Sequence, residues 1–324
     1  MPHAIRIHKT GGPEVLTWEE VPVGKPGPRE ARIRHTAVGL NFVDVYNRTG
    51  LYPLQLPAVL GSEGAGVVEE VGAEVGDLKP GDRVAYGNAP MGSYAEQRLI
   101  PADRLVKLPP GIADTQAAAM MLKGLTVQYL VRQTYKVKKG DTILCHAAAG
   151  GVGLILCQWA KHLGATVIGT VGSEEKAALA KAHGCDHPVI YTREDFQKRV
   201  LELTNGAKVP VVYDGVGKDT FMKSLDCLAP LGLMVSFGNA SGPVENLNLG
   251  ILAAKGSLYV TRPTLNTYAA KRENLLAMAK DLFDVVQSGA VKIEVHQTVP
   301  LKDTARAHRD LESRKTTGST VLTV

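Results

Sequence analysis

The chain has 324 residues, of which 44% are hydrophobic and 21% charged, and its formal net charge at pH 7 is +5. This length suffices for two domains with separate cores, and the mild, scattered positive charge with few aromatic residues disfavours a nucleic-acid-binding surface. No apolar run is long enough to cross a bilayer and no targeting pattern opens the sequence, so we expect no membrane partner.

Residues 1 to about 123 are predicted to form short strands separated by glycine- and proline-rich turns. The strand-like runs are Ala4–His8, Ala31–Val38, Gly66–Val71, Arg83–Tyr86 and Ser93–Ile100. Short strands at regular spacing predict a β-barrel-like domain.

From about residue 125 to residue 260, strands alternate with helices. The predicted elements, in order, are Thr142–Cys145, Val152–His162, Val167–Val171, Glu174–His183, Val189–Ile190, Phe196–Thr204, Val211–Asp214, Asp219–Leu225 and Leu233–Phe237. This alternation is typical of an α/β doubly wound parallel sheet of the Rossmann type.

The glycine-rich turn after Thr142–Cys145 is the most informative motif of the chain. Its spacing, Ala147-x-x-Gly150-x-x-Gly153, is a variant of G-x-G-x-x-G that lies between a predicted strand and a predicted helix. A helix start offers unpaired N–H groups to a pyrophosphate, and small residues let the backbone approach it. We therefore predict that Gly150, Gly151 and Val152 bind a dinucleotide.

The end of the next strand predicts which dinucleotide binds. An NAD site usually has a carboxylate there for the ribose 2′-hydroxyl, whereas this chain has Gly172-Ser173 and then Lys176. Glu174 and Glu175 follow, but acids are favoured in any first helical turn. The pattern favours NADPH over NADH, with Gly172, Ser173 and Lys176 around the 2′-phosphate and Tyr191 nearby; a plain surface lysine is the alternative for Lys176.

The last third of the chain returns to the first pattern. A long helix is predicted at Ala269–Ser288, and strands at Val291–Val295 and Ser319–Val324. We predict a dinucleotide-binding domain at residues 125–263, a catalytic domain from residues 1–124 and 264–324, and hydride transfer in the cleft between them. Phe237, Gly238 and Asn239 follow a strand at the sheet edge where such folds bind ligands.

Four cysteines, Cys145, Cys157, Cys185 and Cys227, are far apart and form no C-x-x-C pair. This spacing favours buried thiols in a reducing compartment, and we expect a cytoplasmic protein.

Several motifs together resemble the zinc-free quinone oxidoreductases, related to ζ-crystallin, of the medium-chain dehydrogenase/reductase superfamily. The matching pieces are Gly140-Asp141, Ala148-Ala149-Gly150-Gly151-x-Gly153, Asn41-x-x-Asp44-x-Tyr46-x-Arg48-x-Gly50-x-Tyr52-Pro53, Lys123-Gly124-Leu125-Thr126 and Ser236-Phe237-Gly238-Asn239. The resemblance covers nearly the whole chain and implies a GroES-like β-barrel catalytic domain, a homodimer, and NADPH-dependent quinone reduction by direct hydride transfer.

The resemblance also implies roles for individual residues. It places Asn41, Asp44 and Tyr46 at the nicotinamide end of the cofactor, Tyr52 in the acceptor pocket, and Lys123 beside cofactor or acceptor. It places Thr126 and Tyr129, at the start of a helix, and Val260 near the nicotinamide. For Asn41 and Tyr52 the alternative is a structural polar loop, and Asp44 fits a helix cap equally well.

Zinc alcohol dehydrogenases of the same superfamily hold their metal with cysteine and histidine. Here the corresponding segment reads Gly61-Ser62-Glu63, Asn41 stands in the region of the first cysteine, and no cysteine precedes Cys145. We predict that the enzyme uses no metal.

Two other functions stay open. Relatives in the superfamily reduce enones or enoyl thioesters, with Tyr46 or Tyr52 as candidate proton donors. A non-enzymatic NADPH-binding or RNA-binding role is the third. The sequence does not separate one-electron from two-electron transfer, and acceptor choice depends on loops at Tyr52–Leu56 and Asn88–Met91.

Overall fold

The computed structural model describes residues 1–87 and 90–324, which divide into two compact units. Unit 1 consists of Met1–Leu125, Ala269–Gln287 and Ile293–Val324, and unit 2 consists of Thr126–Tyr268 and Ser288–Lys292. Asn88 and Ala89, part of one predicted acceptor loop, lie outside the described residues.

The strands are numbered in chain order. They are β1 (His3–Ile7), β2 (Thr17–Glu20), β3 (Glu30–Gly39), β4 (Ala58–Val59), β5 (Glu63–Val71), β6 (Arg83–Gly87), β7 (Gln97–Pro101), β8 (Val106–Lys107), β9 (Thr142–Cys145), β10 (Thr166–Val171), β11 (His187–Ile190), β12 (Val209–Asp214), β13 (Leu228–Ser236), β14 (Tyr259–Thr261), β15 (Val295–Pro300) and β16 (Ser319–Thr323).

The α-helices are numbered in the same way. They are α1 (Phe42–Thr49), α2 (Asp114–Tyr129), α3 (Gly151–His162), α4 (Glu174–Ala182), α5 (Phe196–Leu203), α6 (Phe221–Asp226), α7 (Gly250–Ala254), α8 (Leu265–Tyr268), α9 (Arg272–Gln287) and α10 (Thr304–Glu312). Across the described residues, none of these helices is long and apolar enough to span a membrane.

Unit 2 is built on a parallel sheet with the strand order β11-β10-β9-β12-β13-β14. Its central strands are buried: Ile143, Leu144 and Cys145 of β9 have no exposed surface. Burial on both faces explains why these strands read as continuous apolar runs. The order reverses beside β9, so the carboxyl ends of β9 and β10 lie at the edge where doubly wound sheets bind ligands. The predicted Rossmann fold is confirmed.

Unit 1 contains a mostly antiparallel sheet with the order β15-β16-β3-β5-β6-β8, in which β7 also pairs with β3, and a smaller sheet β2-β1-β4. The long strand β3 carries alternating buried residues and pairs with β5, β7 and β16. Antiparallel strands with one buried face are expected for the predicted β-barrel-like domain. Its last partner, β16, comes from the end of the chain, so the domain is assembled from distant segments.

Three sequence-based predictions of element limits were wrong. The strand predicted at Ser93–Ile100 begins only at Gln97. The strand predicted at Val291–Val295 lies at Val295–Pro300, because the backbone of Lys292 bonds to a side chain instead: its N–H donates to Gln158 Oε1 at 2.8 Å, and its carbonyl accepts from Gln158 Nε2 at 3.1 Å. The helix predicted to begin near Thr126 begins at Asp114 and ends at Tyr129. Its middle residues are buried all round, so the sequence has no amphipathic period to mark the start.

Candidate active site

In unit 1, the turn before α1 positions the first group of predicted site residues. Asn41 precedes the helix, and its backbone N–H donates to the Oδ2 of Asp44, the third helical residue, at 3.0 Å. This is half of a capping box, which fixes the entry of the chain into the helix. The Asn41 side-chain amide donates to Glu63 Oε2 at 2.8 Å, so both ends of Asn41 are held.

Glu63 is the centre of this group, although sequence reasoning gave it no role. It is fully buried, and its Oε2 also accepts from Lys123 Nζ at 2.8 Å, while its Oε1 accepts from the Leu122 N–H at 2.7 Å. Gly39 makes room for it, since a Cβ at that position would lie 2.2 Å from Glu63 Oε2. The predicted residue Lys123 is therefore half of a buried ion pair.

A second buried chain of polar groups begins at Asp44. Its Oδ1 accepts from Ser62 Oγ at 2.8 Å and its Oδ2 from the Tyr94 hydroxyl at 2.9 Å. Burial raises the pKa of Asp44 to about 6, while hydrogen bonds from Ser62 and Tyr94 oppose that shift. Because Asp44 is fully buried and both of its oxygens accept hydrogen bonds, the geometry favours an indirect role through Asn41 over direct contact with a cofactor.

This series of hydrogen-bonded groups continues from Tyr94 through His308 to α10. Arg48 Nη1 donates to His308 Nδ1 at 3.0 Å, and His308 Nε2 lies 3.1 Å from the Tyr94 hydroxyl. Since arginine only donates, His308 carries its proton on Nε2 and donates it to Tyr94. Burial, reinforced by Arg48, lowers the pKa of His308 to about 3, which keeps the ring neutral. Arg48 in turn donates to both carboxylate oxygens of Glu312.

These positions do not fit zinc. Asn41 offers an amide that donates to Glu63, Ser62 offers a hydroxyl that donates to Asp44, and the Glu63 carboxylate is neutralised by Lys123. Zinc in proteins is bound mainly by thiolate, imidazole and carboxylate ligands. Among the described residues, no group of three or more such side chains is arranged to hold a metal ion.

Tyr46 and Tyr52, the other predicted residues of unit 1, contact each other. Their rings pack edge to face with centroids 5.4 Å apart, and the Tyr52 N–H donates to the Tyr46 carbonyl at 3.2 Å. Tyr46 is buried, whereas Tyr52 is half-buried. The turn after α1 therefore holds the less buried ring of Tyr52 against the helix.

In unit 2, the glycine-rich turn has the expected strand–turn–helix form. β9 ends at Cys145, α3 begins at Gly151, and Ala147 adopts a left-handed conformation with φ of 54°. A Cβ on Gly153 would lie 2.3 Å from the Ala147 carbonyl oxygen, so only glycine lets the helix start this close to the turn. The first N–H groups of a helix lack intrahelical acceptors and can bind phosphate oxygens.

His146, the residue directly before Ala147, is held by two side-chain hydrogen bonds. Its Nδ1 lies 2.9 Å from Thr170 Oγ1 and its Nε2 lies 2.8 Å from Ser224 Oγ. Ser224 donates its own proton to the Thr220 carbonyl at 2.8 Å, so His146 donates from Nε2 and accepts at Nδ1. Burial lowers the pKa of His146, in keeping with this neutral form.

The predicted 2′-phosphate residues lie together where β10 ends. Ser173 caps α4, and its Oγ accepts from the Lys176 N–H at 3.3 Å. A Cβ on Gly172 would lie 2.9 Å from the Tyr191 hydroxyl, which shows that Tyr191 closes over this turn. Tyr191 is 44% exposed and Lys176 half-buried, so both can reach a ligand.

Phe237, Gly238 and Asn239 follow β13 at the same edge of the sheet. Their loop is anchored by Arg262, which donates from Nη1 to the carbonyls of Ser236 at 2.8 Å and Gly238 at 3.2 Å. Arg262 follows the edge strand β14, in which Val260 pairs with Met234. Sequence reasoning missed Arg262, because the residues around it in sequence do not indicate that it hydrogen-bonds to the carbonyls of Ser236 and Gly238.

Thr126 and Tyr129 lie in the last turn of α2. The Tyr129 ring stacks on Tyr268 with centroids 4.5 Å apart, and the Tyr268 hydroxyl lies 2.7 Å from Thr134 Oγ1. Burial raises the pKa of Tyr129 well above its usual range, so its hydroxyl stays protonated.

Known proteins match the chain along its whole length. Residues 27–110 match the family model of the alcohol dehydrogenase GroES-like domain, and residues 151–281 match that of the zinc-binding dehydrogenases. A quinone oxidoreductase from Pseudomonas aeruginosa is 58% identical over 99% of both chains. A 2-haloacrylate reductase from Burkholderia is 49% identical over 98% of this chain and 97% of its own.

A solved structure also matches the chain over nearly its whole length. The crystal structure of Escherichia coli quinone oxidoreductase complexed with NADPH superimposes with a TM-score of 0.98 at 51% identity, covering 99% of this chain and 100% of that one.

Proposed function

Because this chain belongs to the quinone oxidoreductase family of the medium-chain dehydrogenase/reductase superfamily, we propose that it reduces quinones with NADPH. The observation that carries this function is the glycine turn before α3 together with a β10 end that has Gly172, Ser173 and Lys176 where an NAD site has a carboxylate. NADPH, when bound, supplies the hydride.

In unit 2, we assign binding of the dinucleotide. The backbone at Gly150, Gly151 and Val152 holds the pyrophosphate, and Ser173, Lys176 and Tyr191 hold the 2′-phosphate. Phe237, Gly238, Asn239, Thr126, Tyr129 and Val260 are assigned to the remainder of the cofactor. The support is that Phe237, Gly238 and Asn239 directly follow β13 and so lie at the carboxyl edge of the parallel sheet, where such folds bind ligands.

In unit 1, we assign positioning of the reacting groups. Asn41 is held on both sides, so its amide can orient a carboxamide or a quinone oxygen without changing protonation state. Lys123 shares Glu63 with Asn41, and its ammonium favours the negative charge that develops on the acceptor oxygen. Tyr52, backed by Tyr46, lines the acceptor site, and no step needs a metal.

The test is NADPH oxidation followed at 340 nm with benzoquinone, naphthoquinone, an enone and 2-haloacrylate, with and without chelator. We expect turnover with quinones that chelator leaves unchanged. Lys176→Glu should raise the KM for NADPH at least about tenfold, since it puts a carboxylate beside the 2′-phosphate. Lys181→Glu, an equal charge change on the exposed far end of α4, is the control.

A second function is favoured by one observation, the 49% identity to the 2-haloacrylate reductase. Reduction of an activated double bond needs a proton at the adjacent carbon, and the half-buried Tyr52 is the candidate donor. Turnover with 2-haloacrylate or the enone but with neither quinone would replace quinone reduction by this function.

The homodimer and the cytoplasmic location belong to the same proposal. The edge strand β14 exposes Tyr259 by 59%, and an unpaired sheet edge is a template for a second copy. All four cysteines are buried and unpaired, as suits a reducing compartment. Light scattering of the purified protein tests the dimer, and a monomer at working concentration would contradict it. The domain limits 125–263 stay a prediction, tested by expressing that segment alone.

A further inference from the structure

An ion pair stands beside the predicted 2′-phosphate residues in unit 2. Glu174 is the first residue of α4, directly after Gly172 and Ser173, and its Oε1 accepts from Arg193 Nη1 at 2.5 Å. Both side chains are about two-thirds exposed, at 67% and 65%. The quinone reduction proposed above uses neither residue.

Arg193 is held next to this turn by the segment that follows β11. The Tyr191 N–H donates to the Val171 carbonyl at 3.1 Å, and Thr192 Oγ1 donates to the Gly172 carbonyl at 3.3 Å. The backbone after β11 therefore runs along the end of β10, and Arg193 faces the same turn as Ser173 and Lys176.

The two charges act on a bound phosphate in opposite directions. A phosphomonoester carries between one and two negative charges at neutral pH, so Glu174 repels it. Arginine binds phosphate with two parallel N–H groups, and an exposed ion pair is held weakly enough to exchange partners. The guanidinium can leave Glu174 for a phosphate without crossing a buried region, because both groups lie at the surface.

We propose that Arg193 is a specificity-determining residue that binds the 2′-phosphate of NADPH, and that Glu174 is its partner when the site is empty. Glu174 thereby weakens the preference for the phosphorylated cofactor, since it competes for Arg193 and repels the phosphate. This inference rests on the proposed function and names two further residues of that site.

The test is calorimetric titration of the full chain with adenosine 2′,5′-bisphosphate and with 5′-AMP, which lacks the 2′-phosphate. Arg193→Gln should weaken binding of the bisphosphate about tenfold and leave 5′-AMP within about twofold, because a charge-assisted contact at an exposed site is lost. Glu174→Gln should tighten binding of the bisphosphate about two- to fivefold, an effect that no purely structural role of the ion pair predicts. Arg193→Lys, which keeps the charge but not the fork, should lie between wild type and Arg193→Gln.

Arg199→Gln is the matched control. Arg199 also pairs with surface carboxylates in unit 2, Glu194 and Glu202, and its loss changes the net charge equally. If Arg193→Gln weakens the bisphosphate no more than Arg199→Gln does, or if Glu174→Gln weakens it, the inference is wrong while NADPH binding stands. If the wild type binds the bisphosphate no more tightly than 5′-AMP, the proposed NADPH site itself is wrong.

Discussion

The buried pair of Glu63 and Lys123 allows a sharp prediction about stability. Glu63→Gln keeps the size of the side chain but removes the negative charge opposite a lysine that is only 6% exposed. Breaking a buried ion pair on one side costs about 3–5 kcal/mol, because the remaining charge is left without compensation in a poorly solvated place. We expect the free energy of unfolding to fall by that amount.

The structure predicts a smaller loss when both charges of the pair are removed together. In Glu63→Gln with Lys123→Met, no charge remains buried, so the loss should be about 2 kcal/mol or more smaller than the sum of the two single losses. Urea unfolding followed by circular dichroism gives all four free energies. The exposed pair of Lys280 and Asp284 on α9 is the control, and neutralising it should leave the free energy of unfolding nearly unchanged, because water screens the two charges.

The activity of the same variants adds a second readout. Since Asn41 Nδ2 donates to the same Glu63 oxygen, Glu63→Gln should lower kcat with quinone as well as stability. The reasoning about burial would be refuted if the double variant lost as much unfolding free energy as the two single variants together. It would also be refuted if Glu63→Gln lost no more than the variant of the exposed Lys280–Asp284 pair.

Three further outcomes follow. Gly153→Ala should weaken NADPH binding about tenfold or more, because its Cβ meets the Ala147 carbonyl; fluorescence titration measures this, with Gly76→Ala, which has no atom within 4 Å of its Cβ, as control. Folding raises the pKa of Asp44 from 3.8 to about 6, so the folded state binds the extra proton between those values and stability falls as pH rises through that window. Wild type should therefore lose about 2 kcal/mol relative to Asp44→Asn from pH 4 to pH 6 in urea titrations, and parallel curves would contradict it. His146→Phe leaves two buried hydroxyl groups without their partner, so the free energy of unfolding should fall by about 1–3 kcal/mol. The dissociation constant of NADPH should rise, and an unchanged constant would limit the role of His146 to stability.

Local patterns predicted the nucleotide-binding part of this chain well. The strand at Thr142–Cys145 has the predicted limits, and α3 begins within one residue of its predicted start. Both depend on neighbours in sequence, since a buried strand, small residues and a helix start follow one another. The cofactor prediction was confirmed for the same reason, because it used residues directly after the next strand.

The sequence could not predict contacts made across the fold. Glu63 acquires its role from Asn41 and Lys123, and Arg262 from the carbonyls of Ser236 and Gly238, which lie in other elements. The misplaced strand near Lys292 has the same cause, since Gln158, far away in sequence, takes the place of a neighbouring strand. Such partners are fixed only once the chain is folded.

The strand pairing of unit 1 has a consequence for synthesis on the ribosome. β3 is made early, yet one of its partners, β16, consists of Ser319–Thr323 at the end of the chain. The main segment of unit 2, Thr126–Tyr268, is complete before that strand appears. At about 5–20 residues per second, we expect the nucleotide-binding unit to begin folding while the Ala37–Gly39 end of β3, which pairs with β16, still lacks that partner. During that interval the unpaired end of β3 is open to chaperones and to pairing with a wrong strand.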